Sequence, residues 1–338
     1  LGLENNDELK ALLRGFRVIE GYRTLDELRS QINFKAKVVG VMGMSASESD
    51  FRYDELARQL KVRQLNALTR ETLIQFCRDE GLLMENPAGA DIALPIAVRS
   101  FLGPSADVSD ATPENTLLLT DEFRQRYLQD GRDWQRDIRP RVEGFLRAAV
   151  RRSSRIKLIL DAHASIAFLA GAILDVKSAV VVQLVQKGRV GYRLWLADDG
   201  TDTATERFTV SNHHIGTGRD IAVAIGIAQP VEVQARQYIA KQLHDVGQLL
   251  TFILPGGTGH QLVAGGGHAA ALAEQVAGAI RQAKQNDPDA FVHIFAAVPN
   301  SMMFYLGQHH QAIAPCIVYE FDFDRRGNKT YQPSFAIE

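Results

Sequence analysis

The stretch "FVHIFAAVPNSMMFYLGQHHQAIAPCIVYEF", residues 291–321, decides the fold. An apolar run ends at Pro299, Asn300 or Ser301 then caps a helix, and a second apolar run follows the helix. A strand, a helix and a second strand in this order form a βαβ unit, which joins two parallel strands. Because both apolar runs are continuous, the strands are expected to be covered on both faces. The stretch therefore predicts an α/β fold.

The same alternation extends from about residue 91 to the end of the chain. Two Ala-rich stretches, "HASIAFLAGAIL" and "AALAEQVAGAIRQAKQ", have the apolar spacing of helices. The elements divide into one set before and one set after about Thr205, which predicts two fused Rossmann-like subdomains at 91–205 and 206–338. No residue-level repeat between the two sets is evident. The predicted strands are "IALPIAVRS", "RIKLILDA", "AVVVQLVQ", "VGYRLWLA", "DIAVAIGIA", "LLTFILP", "FVHIFAAVP" and "PCIVYEFDF".

Residues 1–90 have a different pattern. Stretches such as "DELKALLRGFRVI" and "YDELARQLK" place apolar residues three and four apart, and "ENPAGAD" breaks the pattern as a linker. This predicts a small helical region before the α/β part. The first residue is Leu1, so we expect the chain to be a piece of a longer protein.

Composition indicates an ordinary globular protein. Of its 338 residues 46% are hydrophobic and 23% are charged, with a formal net charge of −2, which argues against disorder. Cys77 and Cys316 are too few for a disulfide framework or a thiolate metal site. The sequence has no apolar run of about 18 to 20 residues and no basic-then-apolar leader, so it predicts a soluble, cytoplasmic protein without a membrane span.

Three strand-to-helix turns are candidates for a ligand site. In an open parallel sheet, ligands bind beyond the carboxyl ends of the strands, where helix starts present amide groups. A free amide at such a start favours an anion by about 0.3 to 2 kcal/mol, so several turns must converge on one phosphate-bearing ligand. The turns carry His163 and Ser165; Gly256, Gly257 and Thr258; and Pro299, Asn300, Ser301 and Met302.

Each turn also has a purely structural interpretation. Ser301, Asn300 and His163 are suited to cap their own helices, and the glycine turn is equally consistent with a flexible connection. "GGTGHQLVAGGG" lacks the Gly-Lys-Ser/Thr of a Walker loop, and the chain has neither an HExxH nor a GxSxG motif. The sequence therefore predicts no catalytic site, metal site or bound cofactor in this chain.

An arginine-rich stretch, "RDWQRDIRPRVEGFLRAAVRRSSR", begins at Arg132. Interspersed Asp and Glu residues favour a solvated helix, while a contact with phosphate or DNA is the alternative.

Three parts of the chain together resemble a known family. They are "IAVRSFLGPSADV" with "LLLTDEFRQRYL" and "DWQRDI"; "HASIAFLAGAILDVKSAVVVQLVQ"; and "FVHIFAAVPNSMMFYLGQHHQAIAPCIVYEFD" with "TYQPSFAI". Over about residues 92–338 the sequence is similar to the SAVED domain of bacterial CBASS antiphage effectors.

The resemblance implies two fused CARF-like subdomains with a cyclic oligonucleotide bound between them. It also implies that ligand-driven self-association activates an attached effector. Residues 1–90 resemble the connector that follows the nuclease of endonuclease-SAVED effectors, so double-stranded DNA is expected to be contacted only by an upstream domain. An adenine-rich cyclic trinucleotide is the favoured ligand. The ligand-binding residues implied are Arg99, Phe101, His163, Ser165, Gly256, Gly257, Thr258, Pro299, Asn300, Ser301 and Met302.

The alternative from another class is an enzyme that processes a nucleotide or sugar phosphate in the same cleft. It predicts turnover by this chain alone, whereas a receptor returns its ligand unchanged.

Overall fold

The structure is a computed structural model. It describes residues 93–101, 111–124, 126–175, 180–188, 191–202, 206–259, 262–321 and 330–338. The chain divides into two compact units, Leu1–Asn86 and Pro87–Glu338, and every described element belongs to the second unit. The helical region predicted for residues 1–90 lies outside the described residues.

The first sheet has five strands in the order β2-β1-β5-β6-β7. Strands β2, β1, β5 and β6 are parallel, and β7 pairs antiparallel with β6. A separate two-stranded ribbon is formed by β3 and β4. The bounds are β1 Leu94–Arg99, β2 Thr116–Leu118, β3 Phe123–Arg124, β4 Tyr127–Leu128, β5 Arg155–Asp161, β6 Val181–Gly188 and β7 Gly191–Trp195.

The second sheet has six strands in the order β13-β12-β11-β9-β10-β8. The four inner strands are parallel, and both edge strands pair antiparallel. Six of the seven residues of β9 are buried, which explains why its sequence is apolar throughout rather than alternating. The bounds are β8 Thr209–His214, β9 Asp220–Gly226, β10 Val246–Ile253, β11 Val292–Ala297, β12 Cys316–Phe321 and β13 Tyr331–Ile337.

In the described part of the chain, six α-helices connect these strands. The first, α1, buries Val142, Leu146 and Ala149 on one stripe and ends with Arg151 and Arg152, whose charges favour the carboxyl end of a helix. The bounds are α1 Arg139–Arg152, α2 Ala164–Ile173, α3 Glu232–Gln242, α4 Gly266–Ala283, α5 Asn300–Gln308 and α6 His310–Ile313, with a π-helical turn at Trp134–Ile138 and 3-10 turns at Pro113–Asn115, Thr120–Glu122 and Lys284–Asn286.

The two sheets repeat one plan. The order β2-β1-β5-β6-β7 corresponds, element by element, to β10-β9-β11-β12-β13, with α2 and α5 as the central helices. The predicted α/β class with parallel sheets is confirmed. The subdomain ranges 91–205 and 206–338 stay predictions.

The central helices α2 and α5 pack on each other through a reciprocal glycine contact. A Cβ added to Gly171 would lie 1.9 Å from the carbonyl oxygen of Phe304, and one added to Gly307 would lie 1.9 Å from that of Phe168. Only residues without a side chain let two helix backbones approach this closely. Most residues of both helices are buried, and each helix also contacts a strand of the opposite sheet.

The matching contacts reveal a repeat that the sequence alone did not make evident. "HASIAFLAG", residues 163–171, aligns with "PNSMMFYLG", residues 299–307, at a serine, a phenylalanine and a glycine. The shared residues are those that start the helix, fill the core and permit the helix crossing.

Candidate functional site

Arg99 and Asp161 end two adjacent parallel strands and lie opposite each other in register. The Arg99 Nη1 atom lies 3.9 Å from Asp161 Oδ2, and the two side chains are 5% and 13% exposed. Within the described part of the chain, Arg99 Nε and Asp161 Oδ2 have no hydrogen-bond partner. Buried polar atoms usually have partners, so this corner of the first sheet retains unused binding capacity.

His163 fixes the turn between β5 and α2. Its Nε2 lies 3.0 Å from the carbonyl oxygen of Arg126 and donates to it, so Nδ1 accepts from the Ser100 hydroxyl at 2.6 Å. The His163 amide in turn donates to Ser100 Oγ. Burial lowers the pKa of His163, so the ring is neutral near pH 7. Both ring nitrogens are engaged by the protein itself, and a ligand reaching them must replace one of these bonds.

Aromatic rings surround this histidine. The ring of Phe123 stacks on His163 with centroids 4.4 Å apart, and Phe101 meets it edge-on at 5.7 Å. The Arg126 guanidinium carbon lies 4.9 Å from the centroid of the half-buried Phe101 ring. Phe101 and Arg126 therefore form a cation–π pair beside His163, a surface suited to a nucleobase.

The start of α2 holds a carboxylate from the other sheet. The Ser165 amide donates to Glu320 Oε1 at 2.7 Å, and Glu320, on β12, is only 8% exposed. The Ser165 hydroxyl is fully buried and has no hydrogen-bond partner among the described residues. The amide that was expected to be free for an anion is thus occupied, while the adjacent hydroxyl is not.

The start of α5 mirrors this arrangement. The Ser301 amide and hydroxyl both bind Gln186 Oε1, at 3.3 and 2.7 Å, and Gln186 belongs to β6 of the first sheet. The Asn300 side chain donates to the carbonyls of Leu160 and Ala162. Sequence reasoning expects a free amide here too, but a side chain of the opposite sheet accepts from it. Each helix start is therefore capped across the interface between the sheets.

The other two predicted residues of this turn differ in their surroundings. Pro299 precedes α5 as its N-cap residue and is half-buried. Met302 is fully buried in the hydrophobic core, which leaves its side chain no exposed surface for a ligand.

The glycine turn follows β10 at the carboxyl end of the second sheet. The Gly257 amide donates to the Leu254 carbonyl at 2.8 Å, and the φ of Gly257 is +82°, a conformation that favours glycine. Gly256 and Thr258 are exposed. The Gly259 amide donates to Ile227, whose own amide donates to Ala297 at the end of β11.

The helix after this turn, α4, is also capped by a carboxylate. Asp199 accepts from the amides of Gly266 and Gly267 at 2.7 and 2.9 Å, and a Cβ on Gly266 would lie 2.2 Å from the Leu196 carbonyl oxygen. Burial raises the pKa of Asp199, but hydrogen bonds from Thr201 and the two glycine amides outweigh it, so the pKa is lowered. The glycines at this helix start serve close packing.

The structure thus joins two of the three predicted turns. Asn300 binds the carbonyl of Ala162, next to His163, and Glu320 joins β12 to Ser165. The glycine turn connects to Ala297 through hydrogen bonds of Gly259 and Ile227. Ala297 lies two residues before Pro299, so the glycine turn is linked by hydrogen bonds to the segment that leads into the third turn.

Sequence reasoning missed Glu320 and Gln186. Both lie on the strand that follows a central helix, and each accepts from a serine amide in the other half of the chain. Aligning the two helix starts as a repeat is the one signal that would have paired them.

Several arginines of the arginine-rich stretch bind carboxylates, an amide side chain or a carbonyl of the chain itself. Arg139 binds Glu143 at 2.7 Å and the Ala336 carbonyl at 3.0 Å, Arg141 pairs with Glu122, and Arg152 binds Asn115 at 2.8 Å. These contacts favour the solvated-helix interpretation over a nucleic-acid surface.

Within the described ranges, no three or more His, Cys, Asp or Glu side chains are grouped so that they would hold a metal ion. Among the same residues, no helix has the length and apolar character needed to cross a membrane.

The fold and the site define a class: paired Rossmann-like α/β proteins with polar side chains gathered where the strand ends of the two halves meet. The sequence model of SAVED, the SMODS-associated and fused to various effectors sensor domain, matches residues 138–337. This is more than half of the chain, which therefore belongs to the SAVED family. The resemblance inferred from sequence is confirmed.

Individual relatives agree with this assignment. CD-NTase-associated protein 4 of Enterobacter hormaechei is 35% identical over 337 residues, and the chain spans 66% of that protein's length. The SAVED/CARF-domain containing Cap4 receptor of Acinetobacter baumannii, solved with the cyclic trinucleotide 2'3'3'-cAAA, matches with a TM-score of 0.53 at 14% identity, over 72% of this chain and 51% of that one. The corresponding receptor of Moraxella osloensis matches with a TM-score of 0.50 at 13% identity, over 98% and 84%. These two structures establish a common fold.

Proposed function

We propose that this chain is the receptor part of a CBASS antiphage effector and that it binds a cyclic oligonucleotide, with an adenine-rich cyclic trinucleotide favoured. Membership in the SAVED family supports the class of ligand. The Acinetobacter baumannii receptors of like fold, solved with 2'3'3'-cAAA and 3'3'3'-cAAA, support the ring size and the base.

The observation that carries the proposal is the set of buried polar atoms without hydrogen-bond partners, among the described residues, at the ends of β1 and β5 and in the first turn of α2. They are Arg99 Nε, Asp161 Oδ2 and Ser165 Oγ. Leaving a buried polar atom unpaired costs about 1 to 3 kcal/mol, so a polar ligand that pairs them recovers this free energy. The guanidinium and the hydroxyl suit a phosphodiester oxygen, and the carboxylate suits the amino group of adenine.

The half-buried Phe101 ring supplies the remaining element of a nucleotide site. A base stacked on such a ring gains about 1 to 3 kcal/mol. The neighbouring Arg126 adds a positive charge close to the ring, which attracts the phosphates of the same ligand.

We further propose that ligand binding drives self-association and that this activates a DNA endonuclease attached to the chain. The SAVED resemblance and the predicted connector at residues 1–90 support this coupling. In this proposal double-stranded DNA is contacted by the upstream domain, and the protein acts in the cytoplasm, where phage DNA is present.

Isothermal titration of the purified chain with a panel of cyclic di- and trinucleotides tests the proposal. We expect saturable heat with a cyclic triadenylate and much weaker heat with linear pApApA, because the linear molecule pays more conformational entropy on binding. Absence of heat with every ring would refute the receptor function. Recovery of mononucleotides after incubation would instead support a nucleotide-processing enzyme.

A matched pair of serine variants locates the site. Ser165→Ala removes a buried hydroxyl that has no partner among the described residues, so it should weaken binding several-fold without loss of stability. Ser211→Ala, on the exposed edge strand β8, should leave the affinity unchanged. Equal affinities for both variants would place the ligand elsewhere.

A further inference from the structure

The two cross-sheet caps differ in charge. At the start of α2 the acceptor is the carboxylate of Glu320, whereas at the start of α5 it is the neutral amide of Gln186. Each accepts from the backbone amide of a serine in the first turn of the helix, Ser165 in α2 and Ser301 in α5. A cap of this kind therefore does not require a negative charge, and the charge of Glu320 is particular to the start of α2.

A carboxylate at a helix start takes the position that a bound anion prefers. The exposed amides and the helix dipole stabilise either a side-chain carboxylate or a phosphate there. The Ser165 amide has one hydrogen and already donates to Glu320 Oε1 at 2.7 Å. A phosphate can reach this amide only if the carboxylate leaves.

Two buried donor groups, the Ser165 hydroxyl and Arg99 Nε, are available to an anion. The Ser165 hydroxyl, 0% exposed, has no hydrogen-bond partner within the described ranges, and neither does Arg99 Nε, on a residue that is 4% exposed. Both are donors: Arg99 ends β1, and Ser165 lies in the first turn of α2, which follows β5, the strand paired with β1. A buried cap that served only to complete the helix would not require further unused donors beside it.

Charged groups of both signs lie near the start of α2. Asp161 and Glu320 are acidic residues near the start of α2, where the positive charges of Arg99 and Arg126 also lie. Removing one carboxylate from such a site should therefore raise its affinity for an anionic ligand.

We propose that Glu320 is a resident anion that occupies a phosphate subsite at the start of α2, and that a phosphodiester of the cyclic oligonucleotide displaces it on binding. Glu320 thereby sets the affinity of the receptor, with Gln186 as its uncharged counterpart at α5. This inference depends on the proposed function.

Exchanging the two cap residues tests the inference. Glu320→Gln keeps an oxygen that accepts from the Ser165 amide but removes the charge, and Gln186→Glu places a charge at the other helix start. In calorimetric titration with 3'3'3'-cAAA, Glu320→Gln should bind about tenfold or more tightly than the unmodified chain, and Gln186→Glu about tenfold or more weakly.

The outcomes separate the inference from the proposed function. If the unmodified chain binds and Glu320→Gln binds equally or more weakly, Glu320 is not a competitor of the ligand and the inference is overturned while the receptor function stands. Should Glu320→Gln fail to fold, Glu320→Ala decides the question by the same criterion.

A second probe does not need the cyclic trinucleotide. Inorganic pyrophosphate, compared with sodium chloride at equal ionic strength, should raise the melting temperature of Glu320→Gln more than that of the unmodified chain, because binding to the folded state stabilises it. Equal shifts in the two proteins would overturn the inference even if no cyclic nucleotide binds. A lower melting temperature with unchanged responses to both probes would assign Glu320 a structural role only.

Discussion

Substituting Gly171 or Gly307 with alanine tests the reciprocal contact between the two central helices. In either variant the new Cβ would lie 1.9 Å from a carbonyl oxygen of the partner helix, whereas real Cβ contacts essentially never fall below 3.0 Å. The helices must therefore separate by about 1 Å or more within a closely packed core.

The magnitude follows from two opposing effects. Forcing an extra methyl group into a packed core costs about 1 to 3 kcal/mol and occasionally more, and this contact is between rigid backbones, which favours the upper end. Replacing a helical glycine with alanine contributes about 1 kcal/mol of stabilisation. We expect each variant to lose about 2 kcal/mol of unfolding free energy.

Gly278 provides the matched control. It lies in the middle of α4, and a Cβ added there would meet nothing within 4 Å. Gly278→Ala should therefore stabilise the protein by about 0.5 to 1 kcal/mol. Urea unfolding, followed by circular dichroism, measures the free energy of unfolding of all three variants. The comparison requires that this free energy depends on urea concentration with the same slope in each variant. If Gly171→Ala or Gly307→Ala is as stable as Gly278→Ala, the close helix crossing is refuted.

Two further predictions concern caps and protonation. Asp199→Ala removes the acceptor of two α4 amides and should cost about 1 to 2 kcal/mol, seen as a lower melting temperature than that of the exposed control Asp198→Ala. Because the pKa of Asp199 is lowered in the folded state, its carboxylate stabilises the protein above the unfolded pKa. The difference in melting temperature between the two variants should therefore vanish as acid protonates the folded carboxylate. A difference that stays constant with pH would contradict this. Burial also lowers the pKa of His163, so its contribution is complete above the unfolded pKa of about 6.5 and declines as pH falls below it. Melting temperatures between pH 8 and 5 should fall less steeply for His163→Gln than for a control at the exposed His214, and parallel curves would refute this.

The sequence was sufficient for all seven inner strands of the two described sheets and for the edge strand β7. The eight predicted runs coincide with strands of the two sheets, and in a strand buried on both faces, such as β9, burial requires a continuous apolar sequence. The edge strand β8, "TVSNHH", was not predicted, since nearly all its residues are exposed and its sequence has no apolar pattern. Strand β2 was missed because it has only three residues.

The residues of the candidate site were also predicted only in part. His163 and Ser165 at the start of α2, and Asn300 and Ser301 at the start of α5, were predicted because strand-to-helix turns are local features. The acceptors that occupy those starts were not, because Glu320 is 155 residues from Ser165 in sequence, and Gln186 is 115 from Ser301.

By itself, the sequence determined the α/β class, most of the strands and the turns that begin the two central helices. These depend on hydrophobic periodicity and capping, which act over a few neighbouring residues. Only the tertiary structure decided that the glycines of α2 and α5 bring the helices together and that each helix start is capped from the opposite sheet. These contacts join segments that are far apart in sequence, so no pattern within a few neighbouring residues predicts them.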